Sequence, residues 1–117
     1  MQNQTKGHWS QQTCQHYAKG KGILSNGEQQ RYLLELDDGW EITRFENQMV
    51  LSKMFSFKRY NDILSFVAKT GKIAEEQNHH PEMVVKWGVC SVNFQTHSAG
   101  GITLNDFICA YLLDKIG

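Results

Sequence analysis

Hydrophobic and polar positions alternate with different periods along the chain, and each change of period marks an element. Ser25-Asn26-Gly27-Glu28 has the form of a capping box, in which two side chains take up free N–H groups at a helix start. Tyr32, Leu33, Leu34 and Leu36 give the apolar face of the short helix that follows, and Asp37-Asp38-Gly39 ends it. Trp40 to Arg44 alternates apolar and polar, as a half-buried strand does. A turn near Glu46-Asn47 leads to a second strand, Met49 to Phe57, and the two strands pair as a hairpin. Tyr60, Ile63, Leu64, Val67 and Ala74 recur at helical spacing and predict a long amphipathic helix from Tyr60 to Gln77. Gly71 lies inside it and weakens it there by roughly 1 kcal/mol relative to Ala. Pro81, the only proline, pushes His80 out of helical geometry and closes the segment.

Val84 to Thr96 reads as a third strand region, with Cys90, Val92 and Phe94 on one face and Ser91, Asn93 and Gln95 on the other. Gly100-Gly101 makes a turn, and a further short strand is expected before the last helix. That helix starts at Thr103-x-x-Asp106, a capping-box-like sequence, and carries Leu104, Phe107, Ile108, Tyr111 and Leu112 on its apolar side. The order is α-β-β-α-β-β-α. It predicts an α+β fold, an antiparallel sheet of about four strands with helices packed on one face. Met1 to Gly22 is polar and aperiodic, and reads as a flexible N-terminal tail before a single domain at 23–117.

Composition narrows the classes. At 117 residues the chain is the size of one domain, and 40% apolar with 21% charged residues is ordinary for a globular protein. Lys plus Arg equals Asp plus Glu at 12 each, which argues against direct nucleic-acid binding, since that needs a basic surface. The three cysteines, Cys14, Cys90 and Cys109, are widely spaced and odd in number, so they read as free thiols in a reducing, cytoplasmic setting. The first fifteen residues lack the apolar run of a secretory signal, and no stretch predicts a membrane span.

Of the five histidines, His79, His80 and His97 are the candidates for chemistry. Two are adjacent at the end of the long helix and the third ends the third strand region. Imidazole titrates near neutrality, so such a set can both give and take protons. Any one histidine at a helix end is usually inert, and His8 and His16, in the polar tail, are read that way. Three histidines can hold a catalytic zinc. Adjacent histidines rarely point at one ion, though, and there is no HxH or HExxH spacing, so no metal is expected. Glu75, four residues before His79, shares its helical face; otherwise it is a solvated carboxylate. Asp106, in the first turn of the last helix, suits the positive end of the helix dipole with or without a further role. Spacing alone does not show that His97 meets the other two.

The run Glu75-Glu76-Gln77-Asn78-His79-His80-Pro81-Glu82, followed by Thr96-His97-Ser98-Ala99-Gly100-Gly101-Ile102-Thr103 and then Asp106, resembles the signature of the pterin-4a-carbinolamine dehydratases. Gly39-Trp40 and Phe55-x-Phe57-Lys58 are similar to that family's first hairpin and its lead into the central helix. The likeness covers Leu24 to Ile116; Met83, Trp87 and Ser98 depart from residues frequent in the family. It implies dehydration of 4a-hydroxytetrahydrobiopterin to the quinonoid dihydropterin, in tetrahydrobiopterin recycling after aromatic amino acid hydroxylation, with no cofactor. It also implies His79 and His97 as the acid–base pair and His80 as an assisting group. Asn78, Gln95 and Thr96 would line the pterin, and Glu75 and Asp106 would orient histidines or the ring. A homodimer or homotetramer is implied as well. The alternative is a binding module, a dimerisation partner of a transcription factor, as animal members of the family also are; that role needs none of the histidines.

Overall fold

The computed structural model describes residues 12–116. The first eleven residues, His8 among them, lie outside the described residues. Seven elements follow: α1 (Asn26–Leu33), β1 (Glu41–Phe45), β2 (Gln48–Ser56), α2 (Tyr60–Gln77), β3 (Glu82–Lys86), β4 (Val89–Phe94) and α3 (Leu104–Ile116). This is the α-β-β-α-β-β-α order that the sequence pattern predicts. The strands form one antiparallel sheet in the order β1-β2-β4-β3.

Local chemistry explains most boundaries. Ser25 caps α1: its side chain accepts from the Glu28 N–H, and the Glu28 carboxylate accepts from the Ser25 N–H. The helix stops at Leu33, short of the Asp37-Asp38-Gly39 end that the sequence suggests. Between β1 and β2, Glu46 and Asn47 both have positive φ, 49° and 70°, across a two-residue loop closed by the Phe45–Gln48 pair. That backbone twists in the same sense as the strands it joins.

The second half of the sheet departs from the sequence pattern. The stretch read as one strand region, with a further strand after Thr96, is a hairpin. It folds back at Trp87-Gly88, where Lys86 pairs with Val89 and Gly88 has φ +82°. Beyond β4 the described residues contain no further strand, but a lone bridge joins Thr96 and Gly101. Trp87 gives little turn signal among its β-branched neighbours, so only Gly88, free to take a left-handed φ, could have marked the fold-back.

Alternation sets the core. Leu51 and Phe55 on β2 and Cys90, Val92 and Phe94 on β4 are all buried, and they meet Ile63 and Phe66 of α2 and Phe107, Ile108 and Leu113 of α3. Both long helices thus cover one face of the sheet, and α1 joins them through Tyr32 against Phe107. Lys53 lies on the same face but reaches Asp114 of α3 at 3.0 Å; Asp114 also accepts from the Trp40 indole and the Asp37 N–H. A buried ion pair needs such further partners to offset its desolvation. Within α2 the buried positions are Ile63, Phe66, Thr70 and Ala74, whereas Tyr60 and Leu64, part of the apolar stripe in the sequence, are exposed. Cys90 and Cys109 are buried free thiols. The Cys109 thiol is pushed far up by its hydrogen bond with Cys14 and by burial, and burial pushes Cys90 up as well. Among the described residues, no helix is long and apolar enough to cross a membrane.

The helix α2 runs unbroken through Gly71, which is exposed, and a Cβ added there would meet nothing within 4 Å. Gly71→Ala is therefore expected to stabilise the fold by about 0.5–1 kcal/mol, through a less flexible unfolded chain and better helix propensity. Urea denaturation of the two proteins checks this; a lower midpoint for the variant would refute it.

Candidate active site

The end of α2 sets the geometry. Asn78 takes a left-handed conformation, φ 52°, and its N–H bonds back to Ala74 and Glu75 carbonyls. The helix thus ends at Gln77, where the periodicity places its end, and the turn at Asn78 reorients the two residues that follow it. The expected alignment of Glu75 with His79 on one helical face does not survive that turn. Instead Glu75 Oε2 lies 2.7 Å from Nε2 of His80, an exposed pair, while His79 turns inward.

Buried His79 places Nε2 2.6 Å from Oδ1 of Asp106, which has no exposure at all. The other carboxyl oxygen, Oδ2, accepts from the Thr103 N–H at 2.9 Å and the Thr96 hydroxyl at 3.0 Å. The Thr96 and Thr103 hydroxyls are themselves 2.7 Å apart. Asp106 is thus the inward-facing half of the α3 cap and the anchor of His79 at once. With the carboxylate as acceptor, Nε2 of His79 carries the hydrogen, and Nδ1 makes no hydrogen bond among the described residues. The imidazole also lies nearly parallel to the Phe94 ring, at 6.1 Å and 10°.

His97 arrives by way of the β3–β4 hairpin. Glu82 pairs with Asn93, so the same register continued backwards sets His80 opposite Gln95, two residues before His97. The fold-back at Trp87-Gly88 therefore returns the chain to the place it left at Pro81. His79, His80 and His97 line one cleft of about 290 Å³, together with Asn78, Gln95 and Thr96. Glu75 and Asp106 stand behind it, each against a histidine. Among the described residues, no three His, Cys, Asp or Glu side chains cluster as metal ligands do.

Three residues of this cleft carry no signal in the sequence. Cys14, Gln15 and His16 line it too, from the segment read there as a tail, and His16 was expected to be inert. Thr96 was read as a strand end lining the pterin and Thr103 as a cap; their hydroxyls in addition complete the shell around Asp106.

Comparison with known proteins bears on this arrangement. The family model for pterin 4 alpha carbinolamine dehydratase matches residues 23–116. A Legionella pneumophila protein with the provisional name pterin-4-alpha-carbinolamine dehydratase is 40% identical over 99 residues, 84% of this chain and 86% of its own length. A Chromobacterium violaceum protein of the same provisional name is 42% identical over 98 residues, 84% of this chain and 83% of its own. Among solved structures, one from Brucella melitensis, described as a transcriptional coactivator/pterin dehydratase, superposes with a TM-score of 0.72 at 29% identity. It covers 80% of this chain and 97% of its own. With the family match spanning most of its length and relatives at this identity, the chain belongs to the pterin-4a-carbinolamine dehydratase family.

Proposed function

We propose that this chain dehydrates a 4a-hydroxytetrahydropterin to the quinonoid dihydropterin, with His79 and His97 moving the protons and His80 assisting. One observation carries the reading: His79 is held by a buried carboxylate at Nε2, on the wall of a cleft that His80 and His97 also line. The reaction asks for little else. The C4a–O bond breaks with its electrons leaving on oxygen, which takes a proton and departs as water. A ring nitrogen gives up its hydrogen and forms the new double bond. One imidazole in its protonated form delivers the first proton and a neutral one takes the second. Asn78, Gln95 and Thr96 contact the bicyclic ring in this reading. Glu75 positions His80 and Asp106 positions His79. The domain at 23–117 carries the three histidines and Asp106, and the free thiols favour a cytoplasmic setting.

Assembly into a homo-oligomer belongs to the same proposal. Met54, Tyr60, Leu64 and Trp87 are large, apolar and exposed, Trp87 at 81%. Single exposed apolar side chains are common, so the support for assembly is the family resemblance, and these side chains are available to such contacts. A second reading, a partner of a transcription factor, is favoured by the description of the Brucella neighbour as a coactivator.

Three measurements test these statements. Stopped-flow decay of a synthetic 4a-carbinolamine is expected to be accelerated by the protein. His79→Ala and His97→Ala should each lower kcat/KM by about 100-fold or more, and His80→Ala by less. No acceleration by the unaltered chain would leave only the binding role. Asp106→Asn should act mainly on kcat, lowering it about tenfold or more with KM little changed. The carboxamide must keep its oxygen toward the Thr103 N–H, so its NH2 faces His79 and forces the ring into the other tautomer. An equal loss in KM would argue for a merely structural Asp106. Sedimentation equilibrium is expected to give a dimer or tetramer, and a monomer at micromolar concentration would refute the assembly.

A further inference from the structure

We propose that residues 14–16 form an additional wall of the histidine cleft and that His16 is a substrate-positioning residue there. This rests on the dehydratase reading for the identity of the substrate, but not for the wall itself. The segment lies outside the residues 23–116 that match the family.

The segment has no helix or strand of its own, yet its backbone is held at successive points. The Cys14 N–H donates to Gln77 Oε1 at 2.8 Å. Next, the side-chain amide of Asn105 takes both polar groups of Gln15: Oδ1 accepts from the Gln15 N–H at 3.0 Å, and Nδ2 donates to the Gln15 carbonyl at 2.6 Å. A side-chain amide can meet one residue's donor and acceptor together, as a neighbouring strand would. Asn105 is itself buried, and its N–H donates to the Thr103 hydroxyl, part of the shell around Asp106. The clamp on the segment and the anchor of His79 therefore share one rigid base, the start of α3.

What the clamp presents is polar and unspent. The backbone is pinned, while the His16 side chain is exposed, makes no hydrogen bond among the described residues and lines the cleft with the other three histidines. The volume matters as well: at about 290 Å³ the cleft sits at the lower end of the roughly 300–1,000 Å³ usual for small-molecule sites. The segment is one of its sides, so its presence decides how much of a bicyclic ring is enclosed. An imidazole there offers a donor and an acceptor to the edge of that ring.

The test compares the full chain, His16→Ala and a truncation lacking residues 1–16, all assayed with a synthetic 4a-hydroxytetrahydropterin. Circular dichroism confirms that each is folded; His16→Ala changes an exposed side chain and serves if the truncation does not fold. KM is expected to rise about threefold to fivefold for His16→Ala, the loss of one hydrogen bond, and about tenfold for the truncation, with kcat within about twofold in both. That split is the signature of a group that holds substrate without moving protons. Unchanged KM in both variants, with the full chain active, overturns the proposal and leaves the dehydratase reading intact. If the full chain is inactive, the dehydratase reading falls. Fluorescence titration with 7,8-dihydropterin then decides the wall alone: weaker binding by the variants supports it, and equal or absent binding overturns it.

Discussion

The buried carboxylate of Asp106 is the interaction on which the site's geometry depends. It is fully shielded from solvent, and a charge in that position is tolerated only when its oxygens are occupied by donors. The three donors come from three places in the fold: the residue just before α3, the second residue after β4 and the turn after α2. One side chain therefore ties together a helix start, a strand end and a helix end. A shift of any of the three would leave a buried donor or acceptor without a partner, at about 1–3 kcal/mol or more. This is why the inner histidine has one orientation, although it sits in a short irregular turn.

The second constraint is topological. Pro81 sends the chain away from the end of α2 along β3, and only a reversal can bring it back. The β3–β4 hairpin is that reversal: its antiparallel register returns Asn93 to a place opposite Glu82, and Gln95 and His80 just beyond line the same cleft. Had Val84 to Thr96 been one continuous strand, rising about 3.3 Å per residue, His97 would have ended some tens of ångströms away. The histidines meet because the strand folds in half.

The same two features explain what the sequence disclosed. The Ser25-x-x-Glu28 box, the Cys90, Val92, Phe94 alternation and the span of α2 are local patterns, each read from residues that interact with near neighbours. The reversal at Trp87-Gly88 was hidden because Trp is not a turn former and the flanking Val and Lys residues suit an uninterrupted strand. The end of α2 falls at Gln77, as the periodicity indicates; what the pattern missed is the conformation of the next residue. Asn78, one of the few residues other than glycine that takes a left-handed turn readily, reverses the chain before His79, so helical spacing no longer applies there. That turn exchanged the partner of Glu75 from His79 to His80. The motif likeness pointed to three histidines that line one cleft; the local pattern could not supply their partners.

The segment around Gln15 was the least legible, because nothing in its own composition predicts order. What holds it is an amide on a helix more than eighty positions away in the chain, a contact visible only once the fold exists. Its energetics are close to balanced. Three backbone hydrogen bonds contribute about 0.5–1.5 kcal/mol each, and fixing the backbone of each residue costs about 1–2 kcal/mol. Those bonds alone do not outweigh the ordering of residues 14–16, and the contact of Cys14 and Cys109, 3.6 Å between sulfurs, adds to them. A ligand that binds the docked form and not the released one must shift that balance further toward docking. A wall of this kind closes best around an occupied cleft. It therefore suits a role for the segment in holding substrate, beside the packing of Cys14 against a core whose fully buried members run from Leu36 onward.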